Sequence, residues 1–324
     1  MDPRRKYRDF CKAELTIPVF SRDWWLDATA GPDNWDVIII EKDGNIVATM
    51  PYVMKSRLGF KYLTEPSLTQ KLGPWIRDTS GKQPRKIQRE KEILSSFIKK
   101  MPNVCYIQQS WDYKYRNWLP FYWAGFKQTT RYTYILPDLS NLENVWRGFR
   151  ENIRRECRKA ENRFNLQVRC DLGIEEFIGL NRATYERQGR SPPDSDSFLR
   201  RLDKACAENN ARRIFIAEDR KGKRHAGIYI VWDAESAYYL MGGSDPLLRG
   251  SGAVSLCMWH AIKHASTVSR KFDFEGSMIQ PIERFFCNFG AVQKDYFVIS
   301  KADSVHVELF LNLREKLKKI YKNL

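Results

Sequence analysis

Histidine is scarce, closely paired cysteines are missing and no long apolar run occurs, and each shortage removes a class of protein. Only four histidines are present, at 225, 260, 264 and 306. His260 and His264 stand four apart, but the Ala-Ile-Lys between them lacks the glutamate of a zinc-protease helix and no third ligand follows. No metal site and no histidine-centred triad is expected. The seven cysteines, at 11, 105, 157, 170, 206, 257 and 287, are odd in number and contain no CxxC pair. That argues against a disulfide framework and for reduced thiols in a cytoplasmic compartment. No apolar stretch approaches the roughly 18 residues of a membrane span, and the basic start has no apolar segment behind it. The expectation is a soluble, non-exported protein.

What is abundant is positive charge. Across 324 residues, 55 Lys and Arg oppose 39 Asp and Glu, a net +16, while 43% of residues are hydrophobic and 13% aromatic. That is ample for a globular core, so the charge belongs to the surface of a folded protein with an anionic partner. It is not a tail: residues 1–140 carry 23 basic and 15 acidic residues, and residues 141–324 carry 32 and 24, a net +8 each.

Strand-like runs alternate with helical periodicity, which points to an α/β or α+β fold. Asp36 to Met54 reads as two β-rich runs joined at Asp43-Gly44, a strong hairpin signal, and Arg213 to Trp232 repeats the plan with a turn at Lys221-Gly222. A second pair agrees. Pro120 to Phe126 followed by Arg131-Tyr-Thr-Tyr-Ile-Leu has the same helix, glycine and strand layout as Glu283 to Gly290 followed by Tyr296-Phe-Val-Ile-Ser. The spans from hairpin to glycine are 88 and 76 positions. Two copies of one module follow, 1–138 and 139–324, the boundary falling at the helix-start signal Pro137-Asp-Leu-Ser140.

From Arg147 to Arg169 the chain carries eight basic residues, with apolar Trp146, Phe149, Ile153, Cys157, Ala160 and Phe164 spaced by three or four. This predicts one amphipathic helix with Arg150, Arg154 and Arg158 as a ridge. Three arginines so spaced repel one another, which favours an anionic ligand, although a solvated face reads the same way. Val305 to Leu324, with Leu309, Leu313, Leu317 and Ile320, reads as a second basic amphipathic helix.

The densest chemistry lies in Ala237 to Ser255, where a strand leads through Gly242 and Gly243 into a loop with Arg249, Gly250, Gly252 and Ala253 and then a helix, with a strand at Phe272 to Ser277 beyond. Glycines at a helix N-terminus make a place for phosphate. It is a poor dinucleotide fingerprint, since Ser255 stands where a third glycine belongs. Asp273, Glu275 and Ser277 alternate as one face of a strand, from which one could act as a general base, buried pairing being the other reading. Thr184, Arg187 and Arg190 read as ligand contacts or as a solvated helix end.

Arg249-Gly-Ser-Gly-Ala253 approximates the pyrophosphate loop of the GNAT acyltransferases. Together with Trp146 to Ala160, Thr184-Tyr-Glu-Arg-Gln-Gly189, Tyr239 to Asp245, Phe272 to Met278, Ile282 to Ala291, Pro51-Tyr and Leu68 to Pro74, it makes the chain resemble the FemABX branch over nearly its whole length. The resemblance implies tandem GNAT modules, each a mostly antiparallel mixed sheet flanked by helices. An activated acyl donor would lie between two splayed strands. Its phosphates would meet Arg249, Gly250, Gly252 and Ala253, and its carbonyl would meet a bulge at Gly242 and Gly243. It further implies no permanently bound cofactor, aminoacyl-tRNA or acyl-CoA as co-substrate, the arginine ridge serving a tRNA, and an amine acceptor such as a peptide or cell-wall precursor, which Thr184, Arg187 and Arg190 would contact. The sequence departs from the branch in lacking a coiled-coil insertion between Ala160 and Arg212, and in having Arg190 where an aromatic is usual. A non-catalytic nucleic-acid or anionic-surface module on a decayed GNAT fold is the alternative.

Overall fold

A computed structural model describes residues 2–57, 59–276, 278–309 and Leu313. Strands in chain order are β1 (Trp35–Lys42), β2 (Asn45–Arg57), β3 (Phe60–Leu63), β4 (Trp75–Ile76), β5 (Tyr106–Ser110), β6 (Lys127–Leu136), β7 (Gln167–Arg169), β8 (Arg212–Glu218), β9 (Arg224–Trp232), β10 (Ser236–Ser244), β11 (Lys271–Asp273) and β12 (Val292–Ala302). Helices are α1 (Pro3–Ala13), α2 (Asp23–Ala30), α3 (Gln83–Lys100), α4 (Leu119–Trp123), α5 (Leu142–Gly148), α6 (Glu151–Asn162), α7 (Ile174–Glu186), α8 (Asp196–Glu208), α9 (Ala253–Val268) and α10 (Gln280–Cys287).

Two compact units result. The first contains the residues up to Phe10, Ala30–Arg131 and the described residues from Tyr296 on; the second contains Cys11–Thr29 and Tyr132–Asp295. This division is discontinuous, unlike a single cut at 138/139.

Within the first unit the strand order is β1-β2-β3-β5-β12, antiparallel throughout except for parallel β3 and β5. Within the second it is β8-β9-β10-β11-β6, again antiparallel except for parallel β10 and β11, with β7 outside β8. The same order with the parallel pair in the same place is the duplication seen in the sequence. The last strand of each sheet is exchanged: β6 follows the first unit's α4 but pairs with β11, and β12 follows α10 but pairs with β5. Each parallel-paired strand thereby gains an antiparallel neighbour on its other edge.

The first hairpin turns at Asp43 (φ 52°) and Gly44 (φ 77°), two positive φ values in succession, which is the backbone a two-residue hairpin needs. The first core forms around α3 and β5, with Leu94, Phe97, Trp111 and Phe121. The second packs α6 and α9 on β8, β9 and β10, closed by Phe272, Phe274, Phe286 and Phe289.

The expected single helix from Arg147 is two. α5 ends at Gly148 and α6 begins at Glu151, because Phe149 is buried against Trp259 and Phe289 while the Arg150 N–H donates to the Asn288 carbonyl, 2.9 Å away. Of the expected helix at Val305 to Leu324, residues 305–309 are helical and most of the rest lies outside the described residues.

Candidate active site

In the second unit β10 and β11 pair only over Ser236–Tyr238 and Lys271–Asp273. Beyond that β10 runs on to Ser244 while β11 stops, so the two strands part and leave one edge of β10 without a strand neighbour. Helix α7 ties this edge. Asn181 Nδ2 donates to the Gly242 carbonyl at 2.9 Å, and the Ser244 N–H donates to Thr184 Oγ1 at 2.9 Å. The Thr184 hydroxyl lies 3.1 Å from the Leu180 carbonyl and 3.3 Å from that of Ser244. In an antiparallel strand the N–H and C=O of one residue face the same side, so the Gly242 N–H shares the edge on which Asn181 meets its carbonyl.

Both glycines are dictated by neighbours. A Cβ on Gly243 would run into the α7 backbone at Leu180 and Asn181, and one on Gly242 would run into the Tyr239 hydroxyl. The expected bulge sits earlier, where the β9 register shifts between Tyr239 and Met241 and leaves Leu240 as the extra residue. Tyr239 is held neutral, its hydroxyl pushed up to about 12 by burial. Thr184→Val, which keeps the shape and removes the acceptor for the Ser244 N–H, is expected to lower stability by about 1–2 kcal/mol in denaturant titration.

The loop after β10 is a 3₁₀ segment, Pro246–Ser251, opened by the Asp245 carboxylate accepting the Leu247 N–H at 2.8 Å. Gly252 follows with φ +81°, and α9 begins with no side-chain cap on its first N–H groups. The four residues of the proposed phosphate loop divide. Arg249 and Gly250 are exposed, and Arg249 has no ion-pair partner among the described residues. Gly252 is pressed against the Glu156 carbonyl of α6, and Ala253 is buried in the core. Between them Ser251 is buried with no hydrogen-bond partner for its hydroxyl.

Asp273, Glu275 and Ser277 do not form one strand face. The strand ends at Asp273, and Glu275 (φ 60°) and Gly276 (φ 63°) turn left-handed, a rotation that removes Glu275 from any strand alternation. Asp273 is fully buried; its Oδ1 accepts from the Thr133 hydroxyl and, at 2.8 Å, from the Glu275 N–H. Glu275 is buried as well. Ser277 lies outside the described residues.

Of the expected acceptor residues, Thr184 is committed to β10, whereas Arg187, which caps α7, and Arg190 are exposed. The arginine ridge is compensated. Glu151 lies 2.8 Å from Arg154 and 3.0 Å from Arg158, so the expected mutual repulsion is relieved within the helix, and Arg150 stands at the extended N-cap, 3.4 Å from Asn288 Oδ1. Among the described residues no three His, Cys, Asp or Glu are grouped to hold a metal ion. Asn181 and Tyr239 escaped the sequence reading. Asn181 leaves one trace, a polar residue within the buried stripe Phe177, Ile178 and Leu180 of α7.

Residues 147–277, which span α6, α7, β10, the loop, α9 and β11, match the family model described as an acetyltransferase (GNAT) domain. This stretch of the second unit is thus similar to a GNAT-type acetyltransferase domain. Among solved structures, FemX is similar at 14% identity and TM-score 0.66, over 91% of this chain and 95% of that one. L-PGS from Bacillus licheniformis is similar at 12% and 0.55, over 97% of each. The tandem GNAT protein from the clavulanic acid biosynthesis pathway is similar at 11% and 0.50, over 89% of this chain and 98% of that one. The fold is a tandem GNAT fold. No curated protein matches the chain.

Proposed function

We propose that the chain is an N-acyltransferase whose activated donor, an ester or thioester linked to a nucleotide phosphate, lies along the parted edge of β10. The observation that carries this reading is the divergence of β10 from β11 after Tyr238, on the strand that leads into the Arg249 loop and the uncapped α9 N-terminus. The phosphates of aminoacyl-tRNA or acyl-CoA would meet Arg249, Gly250 and the first N–H groups of α9. The acyl carbonyl would accept from the Gly242 N–H, a fixed dipole that strengthens its hold as negative charge gathers on the oxygen. An amine attacks the carbonyl carbon and forms the amide bond, the ester or thioester bond breaks, and the ammonium proton passes by way of a carboxylate to the departing tRNA hydroxyl or CoA thiol. Of the two carboxylates we assign that proton to Glu275, with Asp273 holding the turn through the bonds its Oδ1 accepts from Thr133 and from the Glu275 N–H. Arg187 and Arg190 are exposed cations for an anionic acceptor.

The first unit has the same parallel pair, but the chain itself fills the gap. The half-buried Glu65 carboxylate accepts the Ser110 N–H, the Leu72 N–H donates to the Ser110 carbonyl at 2.9 Å, and Gly73 is packed on Trp111. Donor binding is therefore assigned to the second unit alone.

The test is incubation with charged tRNA or a mixture of acyl-CoA thioesters and an amine pool, with mass spectrometry for a new amide. Arg249→Ala is expected to raise the donor KM about tenfold, the scale of one charge-assisted phosphate contact. Turnover unchanged in that variant removes the loop assignment. With tRNA, binding falls steeply with salt, by a log–log slope of about 0.9 for each duplex phosphate contacted, whereas CoA changes little. Nucleic-acid binding without any amide product would leave the non-catalytic reading.

A further inference from the structure

We propose that a cleft between α5 and α9 of the second unit binds a nucleobase that carries a phosphate, independently of the donor loop. The cleft, of about 530 Å³, is lined by Leu142, Glu143, Trp146 and Arg147 of α5 and by Trp259 and Lys263 of α9. Trp259 and Lys263 stand six and ten residues beyond Ala253, on the order of 9 and 15 Å along the helix from the donor loop.

Two half-buried indoles form its floor, ring centroids 5.0 Å apart and planes inclined at 39°. Phe149 meets Trp259 edge-on at 5.3 Å from below, so the indole is fixed before any ligand arrives. The rim is cationic. Lys263 Nζ lies 5.6 Å from the Trp259 ring centroid and 3.3 Å from His260 Nε2. Burial and the neighbouring ammonium push His260 down to about 4, so near neutral pH the imidazole accepts one Lys263 proton and adds no charge. Arg147 lines the cleft from α5, its carbonyl accepting at 3.0 Å from Arg154, whose own charge is paired with Glu151. The one lining carboxylate, Glu143, is 3.4 Å from Arg147 with 86% of its side chain in solvent.

An aromatic floor under a cationic rim selects a ligand that is flat and anionic at once. An aliphatic anion has no face to lay on an indole, and a neutral arene gains nothing from the charge of Arg147 and Lys263, which the exposed Glu143 offsets only in part. A base with a phosphate supplies both, as on the stacking platforms of single-strand binders. A free nucleotide and an unpaired RNA base share this chemistry.

Equilibrium dialysis of the full chain against adenosine monophosphate, an unstructured RNA hexamer and decanoate tests it. The nucleotide or the hexamer is expected to bind, with Trp259→Leu weakening it about tenfold or more. Arg147→Met with Lys263→Met, which leaves the indoles in place, is expected to weaken it and flatten its salt dependence, and decanoate is not expected to compete. Tighter binding of the hexamer identifies an RNA base; equal binding identifies a free nucleotide. Arg249→Ala is expected to leave this affinity unchanged, and no probe carries an acyl group, so failure of the transferase reading does not touch the result. The proposal is overturned if neither phosphate probe binds, if decanoate displaces them, if Arg249→Ala abolishes binding, or if Trp259→Leu with an unchanged melting temperature binds as tightly. Should Trp259→Leu melt early, undiminished binding by the double charge variant overturns it.

Discussion

Gly243→Ala is expected to lower the melting temperature of the second unit by on the order of 10 °C and to abolish transfer, while Gly250→Ala leaves the melting temperature within about 1 °C of the parent. The added methyl on Gly243 meets the backbone of α7 at Leu180 and Asn181, which cannot rotate aside as a side chain would. To admit it, α7 must lift from β10, and with α7 go the Asn181 bond to Gly242 and the Thr184 bond to Ser244. Overpacking against backbone costs about 3 kcal/mol, at the upper end of the usual range. Gly252→Ala belongs with Gly243: its methyl meets the Glu156 carbonyl, and its φ of +81° adds about 1–2 kcal/mol for any residue with a Cβ. Gly250 has open space where its Cβ would be, so its substitution reads out donor binding and not folding. Thermal melts of the three variants beside their transfer rates check this, and a Gly243→Ala protein that melts with the parent would show that α7 does not hold the edge of β10.

What could be read from the residues depended on how local each cause was. Asp43-Gly44 and Gly252 were legible because the backbone needs positive φ there and the residue type records it. The duplication was legible because each hairpin and each glycine-ended helix repeats its own local pattern. The exchange of β6 and β12 was not, since Arg131 to Leu136 and Tyr296 to Ser300 are equally good strands and only the pairing with β11 or β5 decides between sheets. The break at Phe149 was hidden because Trp146, Phe149 and Ile153 keep helical spacing across it; the arrest comes from Asn288, far away in sequence. Glu275 was misplaced for a related reason: nothing in a glutamate announces a left-handed backbone, and Asp273, which fixes that turn through the Glu275 N–H, reads as one more strand residue.

That turn gives the second large effect. Asp273→Ala is expected to cost about 2–4 kcal/mol in denaturant unfolding, because the Thr133 hydroxyl and the Glu275 N–H lose their acceptor, each unmatched donor costing about 1–3 kcal/mol. Asp273→Asn keeps an oxygen in the place of Oδ1 and is expected to stay within about 1 kcal/mol of the parent, since both bonds survive without the charge. The pair separates two roles that a single alanine variant would merge. If Asp273 positions Glu275, the asparagine variant retains most of its turnover while Glu275→Gln loses about 10²–10⁴-fold, the usual span for removing a general base. If Asp273 itself takes the proton, the asparagine variant folds normally and loses that factor. The geometry favours the first outcome: the Asp273 carboxylate is fully buried and already accepts two hydrogen bonds, whereas Glu275 is held left-handed at φ 60°, a conformation that costs a glutamate energy. Since Asp273 accepts the Glu275 N–H within that turn, turnover lost in Asp273→Ala and in Glu275→Gln but kept in Asp273→Asn is the pattern expected of a positioning residue.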